Sequence, residues 1–171
     1  STWTPINTSK MPEAKEGEAA FAASGTCLIT QGRRDVFLVS GGQAARVFRS
    51  IDRGITWTVA ETPIVKGTVG SGIFSIAMKD SLNGVIVGGN YEKAGERSSN
   101  IAFTQNGGRT WTLGNSPNGY RSAVSYIESN LIVTVGTNGS DQSADGGKTW
   151  WDFDTEPYNA VAAKGVYAYW A

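Results

Sequence analysis

Residues 50–57 read SIDRGITW, and two further stretches of the chain repeat the same pattern. Residues 104–111 read TQNGGRTW and residues 143–150 read SADGGKTW. Each copy begins with Ser or Thr, has Asp or Asn at its third position and Gly at its fifth, and ends in Thr-Trp. An octapeptide that recurs along a chain is typical of a repeat architecture, and the spacing of the copies indicates which one.

The spacing indicates the blades of a β-propeller. Trp3, Trp57, Trp111 and Trp150 each follow a Thr, and they lie 54, 54 and 39 residues apart. A period of about 40 to 50 residues is the range of four-stranded propeller blades. Between the tryptophans, short apolar runs alternate with Gly, Asn and Asp turn formers, as in consecutive β-hairpins. The predicted class is therefore all-β, a β-propeller with four-stranded antiparallel blades and an octapeptide hairpin in each blade.

The chain is predicted to be a single partial propeller over residues 1–171, with about four blades present. Its predicted units are the outer strand of a preceding blade, three blades and the first half of a further blade, at 1–10, 18–61, 72–114, 121–154 and 159–171. Each blade is expected to begin with an inner strand that is small and apolar on both faces, the first at 18–23. Because the pattern opens inside an incomplete octapeptide, we expect part of a larger ring of the seven-bladed type. The remaining blades would come from the rest of a longer chain or from another copy.

Composition and charge exclude several classes of function. Lys plus Arg and Asp plus Glu number 15 each, so the formal net charge is zero, which argues against a nucleic-acid partner. No apolar run approaches the length of a membrane span, so none is expected. The chain has no His, which excludes Ser-His-Asp and Cys-His catalysis and His-ligated metals. Cys27 lies in an apolar run and is expected to be a small buried hydrophobe. We expect neither a metal nor a cofactor.

The octapeptide is expected to close a hairpin between the third and fourth strands rather than to perform chemistry. Its Asx side chain accepts hydrogen bonds from N–H groups just ahead, its Gly supplies a positive φ, and its Trp packs between blades. The copies lie far apart around a ring and one has Asn in place of Asp, whereas catalysis needs convergent groups. This structural role is assigned to Asp52, Gly54, Thr56, Trp57, Asn106, Gly108, Thr110, Trp111, Asp145, Gly147, Thr149 and Trp150.

The three octapeptides resemble the Asp-box, or BNR repeat, of sialidases, xyloglucan-cleaving glycosidases, sortilin-type receptors and photosystem II assembly-factor-like propellers. Segments 46–59 (RVFRSIDRGITWTV), 72–93 (GIFSIAMKDSLNGVIVGGNYEK) and 102–113 (AFTQNGGRTWTL) are most similar to the last group. That photosystem II stability/assembly factor-like family includes bacterial members labelled only as oxidoreductase-like or glycosyl-hydrolase-like. The resemblance implies boxes that lie away from the functional face, and a periplasmic or extracellular location. The single cysteine suits a bacterial source.

The loop face opposite the octapeptides is therefore the predicted functional surface. Alignment of the inner strands places Glu18, Ile73, Arg121 and Tyr158 at equivalent positions around a central funnel. Two of them are charged where their neighbours are small and apolar, and such charges must either pair or bind something. Tyrosine rings could stack on a sugar or a partner chain, and the longest polar loop is 89–100, GNYEKAGERSSN. The candidate binding residues are Glu18, Arg121, Tyr120, Tyr158, Asn159, Tyr91, Glu92 and Lys93, and no catalytic residue is assigned.

Two functions from different classes fit these residues. The first is a non-catalytic binding or assembly propeller that presents its loop face and funnel to a protein or carbohydrate partner. The alternative is a secreted glycoside hydrolase of the sialidase-like or xyloglucanase-like type. The sialidase resemblance would require three convergent arginines, and a xyloglucanase needs two funnel carboxylates. The sequence offers Arg121 and Glu18 at the predicted rim and places Arg46 and Arg49 on third strands, away from the funnel. The non-catalytic function is favoured.

Overall fold

The structure, a computed structural model, describes residues 8–23, 25–164 and 167–170, together with Thr2 and Pro5. Its elements are antiparallel β-strands and the short 3-10 turns Thr8–Lys10 and Tyr91–Lys93. The predicted outer strand at 1–10 falls largely outside the described residues, and its last three residues form the first of these turns. Within the described ranges, no helix is long and apolar enough to cross a bilayer.

Three four-stranded antiparallel units follow one another along the chain, and in each the strands pair in chain order. The first blade contains β2 (Leu28–Gln31), β3 (Asp35–Val39), β5 (Arg46–Ser50) and β6 (Thr58–Glu61). The second contains β7 (Ser71–Met78), β8 (Gly84–Asn90), β9 (Ile101–Thr104) and β10 (Thr112–Leu113). The third contains β11 (Ala123–Tyr126), β12 (Ile132–Gly136), β13 (Gly139–Ser143) and β14 (Trp151–Asp154). A further hairpin follows, formed by β15 (Val161–Lys164) and β16 (Tyr167–Trp170).

The inner strand of the first blade differs from the prediction of a continuous strand at 18–23. Glu18–Ala19 form a two-residue strand, β1, which pairs with Gly41–Gly42, β4. β4 also pairs with β7, so the hydrogen-bonded sheet of the second blade continues into these two short strands. The chain then makes an excursion before it enters the four-stranded sheet of the first blade at β2, which pairs with β3. Phe21 lies in this excursion, where its ring stacks on Phe74 of the second blade with centroids 4.2 Å apart. Packing of an aromatic ring on the neighbouring blade therefore replaces several rungs of the strand ladder.

The core lies between the blades, because each strand sends alternate side chains to its two faces. In β8, Ile86 packs toward the first blade, whereas Val85 and Val87 pack toward the third. The interface between the first and second blades includes Phe37, Val39, Val47, Ile73, Ile76 and Met78, and it also buries Cys27. The interface between the third blade and the last hairpin is formed by Ala123, Val133, Val135 and Val161.

The octapeptide turns are closed by their own side chains. In the first copy, Asp52 Oδ1 accepts the Thr56 N–H at 2.8 Å and Asp52 Oδ2 accepts the Thr56 hydroxyl at 2.6 Å. The Ser50 hydroxyl donates to Asp52 Oδ1 at 2.8 Å and accepts the Gly54 N–H at 2.7 Å. The third copy repeats these contacts through Ser143, Asp145, Gly147 and Thr149.

The middle copy makes the same turn with an amide. Asn106 Oδ1 accepts the Thr110 N–H at 3.0 Å, and Asn106 Nδ2 donates to the Thr110 hydroxyl oxygen at 2.8 Å. The reversed polarity of the side-chain contact is tolerated because a hydroxyl both donates and accepts. The turn therefore needs an Asx side chain but not a negative charge.

Acid is expected to weaken the two aspartate turns and spare the asparagine turn. The Thr56 hydroxyl and N–H lower the pKa of Asp52 to about 2. Burial opposes ionisation of Asp145, but the Thr149 donors outweigh it, so its pKa is also about 2. A depressed folded-state pKa contributes stability above the unfolded value of about 4, and this contribution is lost as pH falls toward 2.

The test compares the free energy of unfolding of the wild type with that of D52N/D145N, in which both turns copy the natural Asn106 turn. The free energy of unfolding of the wild type should exceed that of the variant at pH 6, and this difference should shrink between about pH 4 and pH 2. Urea denaturation followed by circular dichroism at these pH values gives the difference. A difference that stays constant across this range would contradict the assignment.

Candidate functional site on the loop face

The loop face is formed by the segments that join second to third strands and fourth strands to the next blade, at 61–71, 89–99, 114–120 and 137–139. Backbone hydrogen bonds tie these loops together across blades. The Tyr91 N–H donates to the Gly70 carbonyl at 3.1 Å, and the Tyr120 N–H donates to the Ala94 carbonyl at 2.9 Å. The face is therefore a continuous surface built from several blades.

Glu18 is neutralised within the first blade. Its carboxylate forms an ion pair with Arg46, whose Nε donates to Glu18 Oε1 at 2.8 Å, and the Ser40 hydroxyl donates to the same oxygen. The side chains are only 1% and 6% exposed for Glu18 and Arg46. Burial raises the pKa of Glu18, but the hydrogen bonds from Arg46, Ser40 and the Lys15 N–H outweigh this and lower it overall. Glu18 is predicted at the rim and Arg46 on a third strand away from the funnel, whereas the structure pairs the two, because the long side chain of Arg46 reaches from β5 to β1.

Arg121 is fully buried and is neutralised within the third blade. Its Nε donates to Asp141 Oδ2 at 2.5 Å, and its Nη1 donates to the Tyr120 carbonyl at 2.7 Å and to Asn138 Oδ1 at 2.6 Å. Asp141 also accepts the Asn118 N–H. Burial lowers the pKa of Arg121, and the charge of Asp141 acts against that change. Glu18 and Arg121 are therefore not brought together, since each satisfies its charge in its own blade.

Asn138 extends the Arg121 pair into the loops. Its Nδ2 donates to the carbonyls of Ala94 and Asn118, both at 2.9 Å, while its Oδ1 accepts from Arg121. One amide thus links the loops at 89–99, 114–120 and 137–139. Arg121 acts as a positioning residue for the loop face, because its orientation fixes the amide that holds the other two loops.

The predicted alignment of inner strands is correct for three of its four members. The N–H groups of Ile73, Arg121 and Tyr158 donate to carbonyls of the preceding blade, at Ser40, Gly88 and Gly136. Glu18 does not take this position, because Ala19 pairs with Gly41 as Gly72 pairs with Gly89 in the second blade. The residue of the first blade that is equivalent to Ile73 is therefore Ala20, two residues after the predicted Glu18. Tyr158 packs partly buried against the interface with the last hairpin, and the Asn159 carbonyl accepts the Ser122 hydroxyl at 2.9 Å.

Four aromatic rings from three consecutive blades meet on the loop face. Phe74 of the second blade stacks on Phe21 of the first and meets Tyr120 of the third edge-on, with centroids 4.8 Å apart. Tyr91, from the loop after β8, meets Phe74 edge-on at 6.2 Å. We call these four residues the aromatic cluster. The predicted binding residues include Tyr91 and Tyr120 but neither phenylalanine: Phe21 leaves its strand, and Phe74, whose position is predicted at the rim, sits at a register shift in β7.

The cluster is open to solvent mainly through Tyr91. Phe74 and Tyr120 are 3% and 4% exposed, whereas Tyr91 is 49% exposed. Burial, together with the neighbouring Tyr91, raises the pKa of Tyr120, so the Tyr120 phenol stays neutral at physiological pH. Next to Tyr91, Glu92 and Lys93 are exposed, and Lys93 pairs with Glu96 at 3.3 Å. The surface therefore presents one accessible ring on a rigid aromatic base, flanked by charges of both signs.

The side chains of this face limit the chemistry it could support. Among the described residues, no three Cys, Asp or Glu side chains gather as a metal site would require. A general acid of a glycosidase needs a raised carboxyl pKa, whereas that of Glu18 is lowered. The exposed ring of Tyr91 is available for stacking.

No protein-family model and no curated protein matches the sequence. Solved structures do match the fold. A structure of YCF48 bound to a D1 peptide aligns with a TM-score of 0.52 at 17% identity, covering 79% of this chain and 41% of that chain. The Niastella koreensis GH74 enzyme aligns with a TM-score of 0.53 at 16% identity, covering 86% of this chain and 24% of that chain. An ancestral GH74 enzyme gives 0.53 at 14% identity, covering 85% and 21%.

This chain thus spans less than half the length of each of these structures. At such low identity the likeness concerns the fold alone. Together with the four-stranded antiparallel sheets, it shows that the chain has the β-propeller fold.

Proposed function

We propose that this chain is part of a non-catalytic binding propeller whose loop face holds a protein partner. The aromatic cluster is the observation that carries this proposal. It draws one ring or more from each of three blades to a single place and leaves Tyr91 accessible. Exposed tyrosines on a rigid base are typical anchors of protein recognition, because they supply contact area at small entropic cost.

The partner that fits is an extended peptide segment with an apolar or aromatic side chain. Such a side chain can stack on Tyr91 beside the half-buried Phe21. Glu92 and Lys93 have opposite charges, so the surface favours no strongly charged ligand. The likeness to a YCF48 structure that holds a D1 peptide supports a peptide as the ligand class. The propeller would be completed by blades beyond this chain or from another copy. We also propose a periplasmic or extracellular location for the protein.

Replacing Tyr91 by alanine is expected to weaken peptide binding at least tenfold, since loss of a central aromatic anchor costs about 2 kcal/mol or more. Peptides selected from a random library on the immobilised protein serve as probes, with affinities from fluorescence anisotropy. Y91F is the matched control and should bind within about threefold of the wild type, because it keeps the ring. Failure to enrich peptides, or equal binding by Y91A and the wild type, would overturn the proposal.

A glycoside hydrolase is the second candidate, and the likeness to two GH74 enzymes favours it. In that case the protein should release sugar from xyloglucan or from fluorogenic sialosides, and a catalytic Glu18 would make E18Q inactive. The ion pair of Glu18 with Arg46 predicts no turnover by the wild type. Turnover that disappears in E18Q would establish the enzyme and contradict the binding proposal.

A further inference from the structure

A cleft of about 200 Å3 lies between the second and third blades, on the face that carries the octapeptide turns. This is the face opposite the aromatic cluster, and the candidate site does not include it. The second blade contributes Lys79, Asn83 and Phe103 to its walls. The third blade contributes Tyr126, Asn130 and Lys148, with Gly146 of the octapeptide turn at its edge.

The repeat supplies an internal comparison for this cleft. Phe103 directly precedes the second octapeptide, as Arg49 directly precedes the first. The strand registers pair Ser50 with Val36 and Thr104 with Gly84, so Asn83 takes the place of Asp35. The second blade therefore has an aromatic ring and an amide where the first has an arginine and a carboxylate.

Arg49 fills the corresponding space at the interface between the first and second blades. Its guanidinium lies 5.8 Å from the ring centre of Phe37 and 3.6 Å from the Asp35 carboxylate. It also lies against the turn of the next blade, because a Cβ added to Gly107 would be 3.3 Å from Arg49 Nη2. A Cβ added to the equivalent Gly146 would meet nothing within 4 Å. The volume that Arg49 occupies at one interface is open at the next.

The polar groups of the cleft favour an anion. Lys79 Nζ reaches across the interface and donates to Asn130 Oδ1 at 3.1 Å. Within the described residues, neither Lys79 nor Lys148 lies within 4 Å of a carboxylate oxygen. Asp145 also lines the cleft, but its carboxylate accepts hydrogen bonds from the Thr149 hydroxyl and N–H within its own turn. Asp80, which follows Lys79, accepts from the Leu82 and Asn83 N–H groups. Lys79 and Lys148 therefore line the cleft, and neither forms an ion pair within the described residues.

We propose that this cleft binds a small oxyanion group, a carboxylate or a phosphate, between the ammonium groups of Lys79 and Lys148. Phe103 and Tyr126 would form its side walls, which suits the anionic end of a small organic acid or phosphate ester. Charge-assisted hydrogen bonds from lysine to such oxygens are among the stronger polar contacts in proteins.

Nuclear magnetic resonance titration of the protein with sodium phosphate, and separately with sodium acetate, tests the site. Ionic strength is held constant with sodium chloride, and the backbone amide signals of Asn83, Gly146 and Lys148 are followed. Saturable shifts with phosphate alone assign a phosphate site, those with acetate alone assign a carboxylate site, and either supports the proposal. The dissociation constant should rise about tenfold or more in K79M and in K148M.

The variant F103R/N83D provides a second test, because it copies the Arg49–Asp35 pair into the second blade. It should fill the cleft and abolish the saturable shifts while the rest of the spectrum stays dispersed. The lysine variants keep the test decisive if the double variant does not fold. Absence of saturation with both anions, or unchanged affinity in K79M and K148M, would overturn the proposal.

Discussion

Arg121→Ala is expected to lower the free energy of unfolding by about 3–5 kcal/mol, among the largest effects of any single substitution in this chain. The change leaves the carboxylate of Asp141, which is 1% exposed, without its counter-charge. It also removes the donor that orients Asn138, which holds the loops at 89–99 and 114–120. Urea denaturation followed by circular dichroism measures the loss.

The double variant R121M/D141L distinguishes the loss of the ion pair from the cost of leaving the Asp141 carboxylate buried without a partner. It should recover most of the lost stability, because removing both partners leaves no uncompensated charge. Lys15 and Glu61 form the matched control, since both are 53% exposed in an ion pair of 2.5 Å. K15A should cost less than about 1 kcal/mol. An R121A variant no less stable than K15A would contradict the role assigned to Arg121.

Trp111→Ala is expected to cost about 3–5 kcal/mol, because it empties a large volume in the core between the first and second blades. Trp111 is 8% exposed and packs with this core, whereas Trp57 and Trp150 are only partly buried. W57A should therefore cost less than W111A. The two partly buried rings donate Nε1 to the carbonyls of Gly54 and Gly147, but Trp111 Nε1 has no acceptor among the described residues.

The Trp111→Phe variant tests whether packing or the indole N–H dominates. Phenylalanine keeps most of the ring and removes a buried donor that has no partner, so W111F should lose clearly less stability than W111A. Chemical denaturation of W57A, W111A and W111F gives the order. A larger loss for W57A than for W111A would contradict the packing argument.

The octapeptides were sufficient to predict the propeller, because their spacing and turn chemistry are local properties of the sequence. Local sequence patterns could not predict which residues form ion pairs with Glu18 and Arg121. Glu18 meets Arg46 and Arg121 meets Asp141, and each pair joins a residue near an inner strand to one on the third strand of the same blade. Both partners depend on how the third strand pairs with its neighbours, and a local sequence pattern does not fix that register; in β13 the pairing with β14 even shifts between Ser140 and Asp141.

The aromatic cluster shows the same limit. The small apolar run at 18–23 predicts that Phe21 belongs to a continuous inner strand, but its ring stacks on the next blade instead. A local hydrophobic pattern records that a side chain is buried, not which blade buries it. The interface cleft was also missed, since it arises from the difference between Arg49 and Phe103 at equivalent positions of two blades.

Hydrogen–deuterium exchange, measured with and without a library-selected peptide, tests the proposed binding role of the loop face. We expect the peptide to slow exchange in residues 70–74, 89–94 and 118–121, which surround the aromatic cluster. Protection confined to the octapeptide turns at 50–57, 104–111 and 143–150 would contradict it.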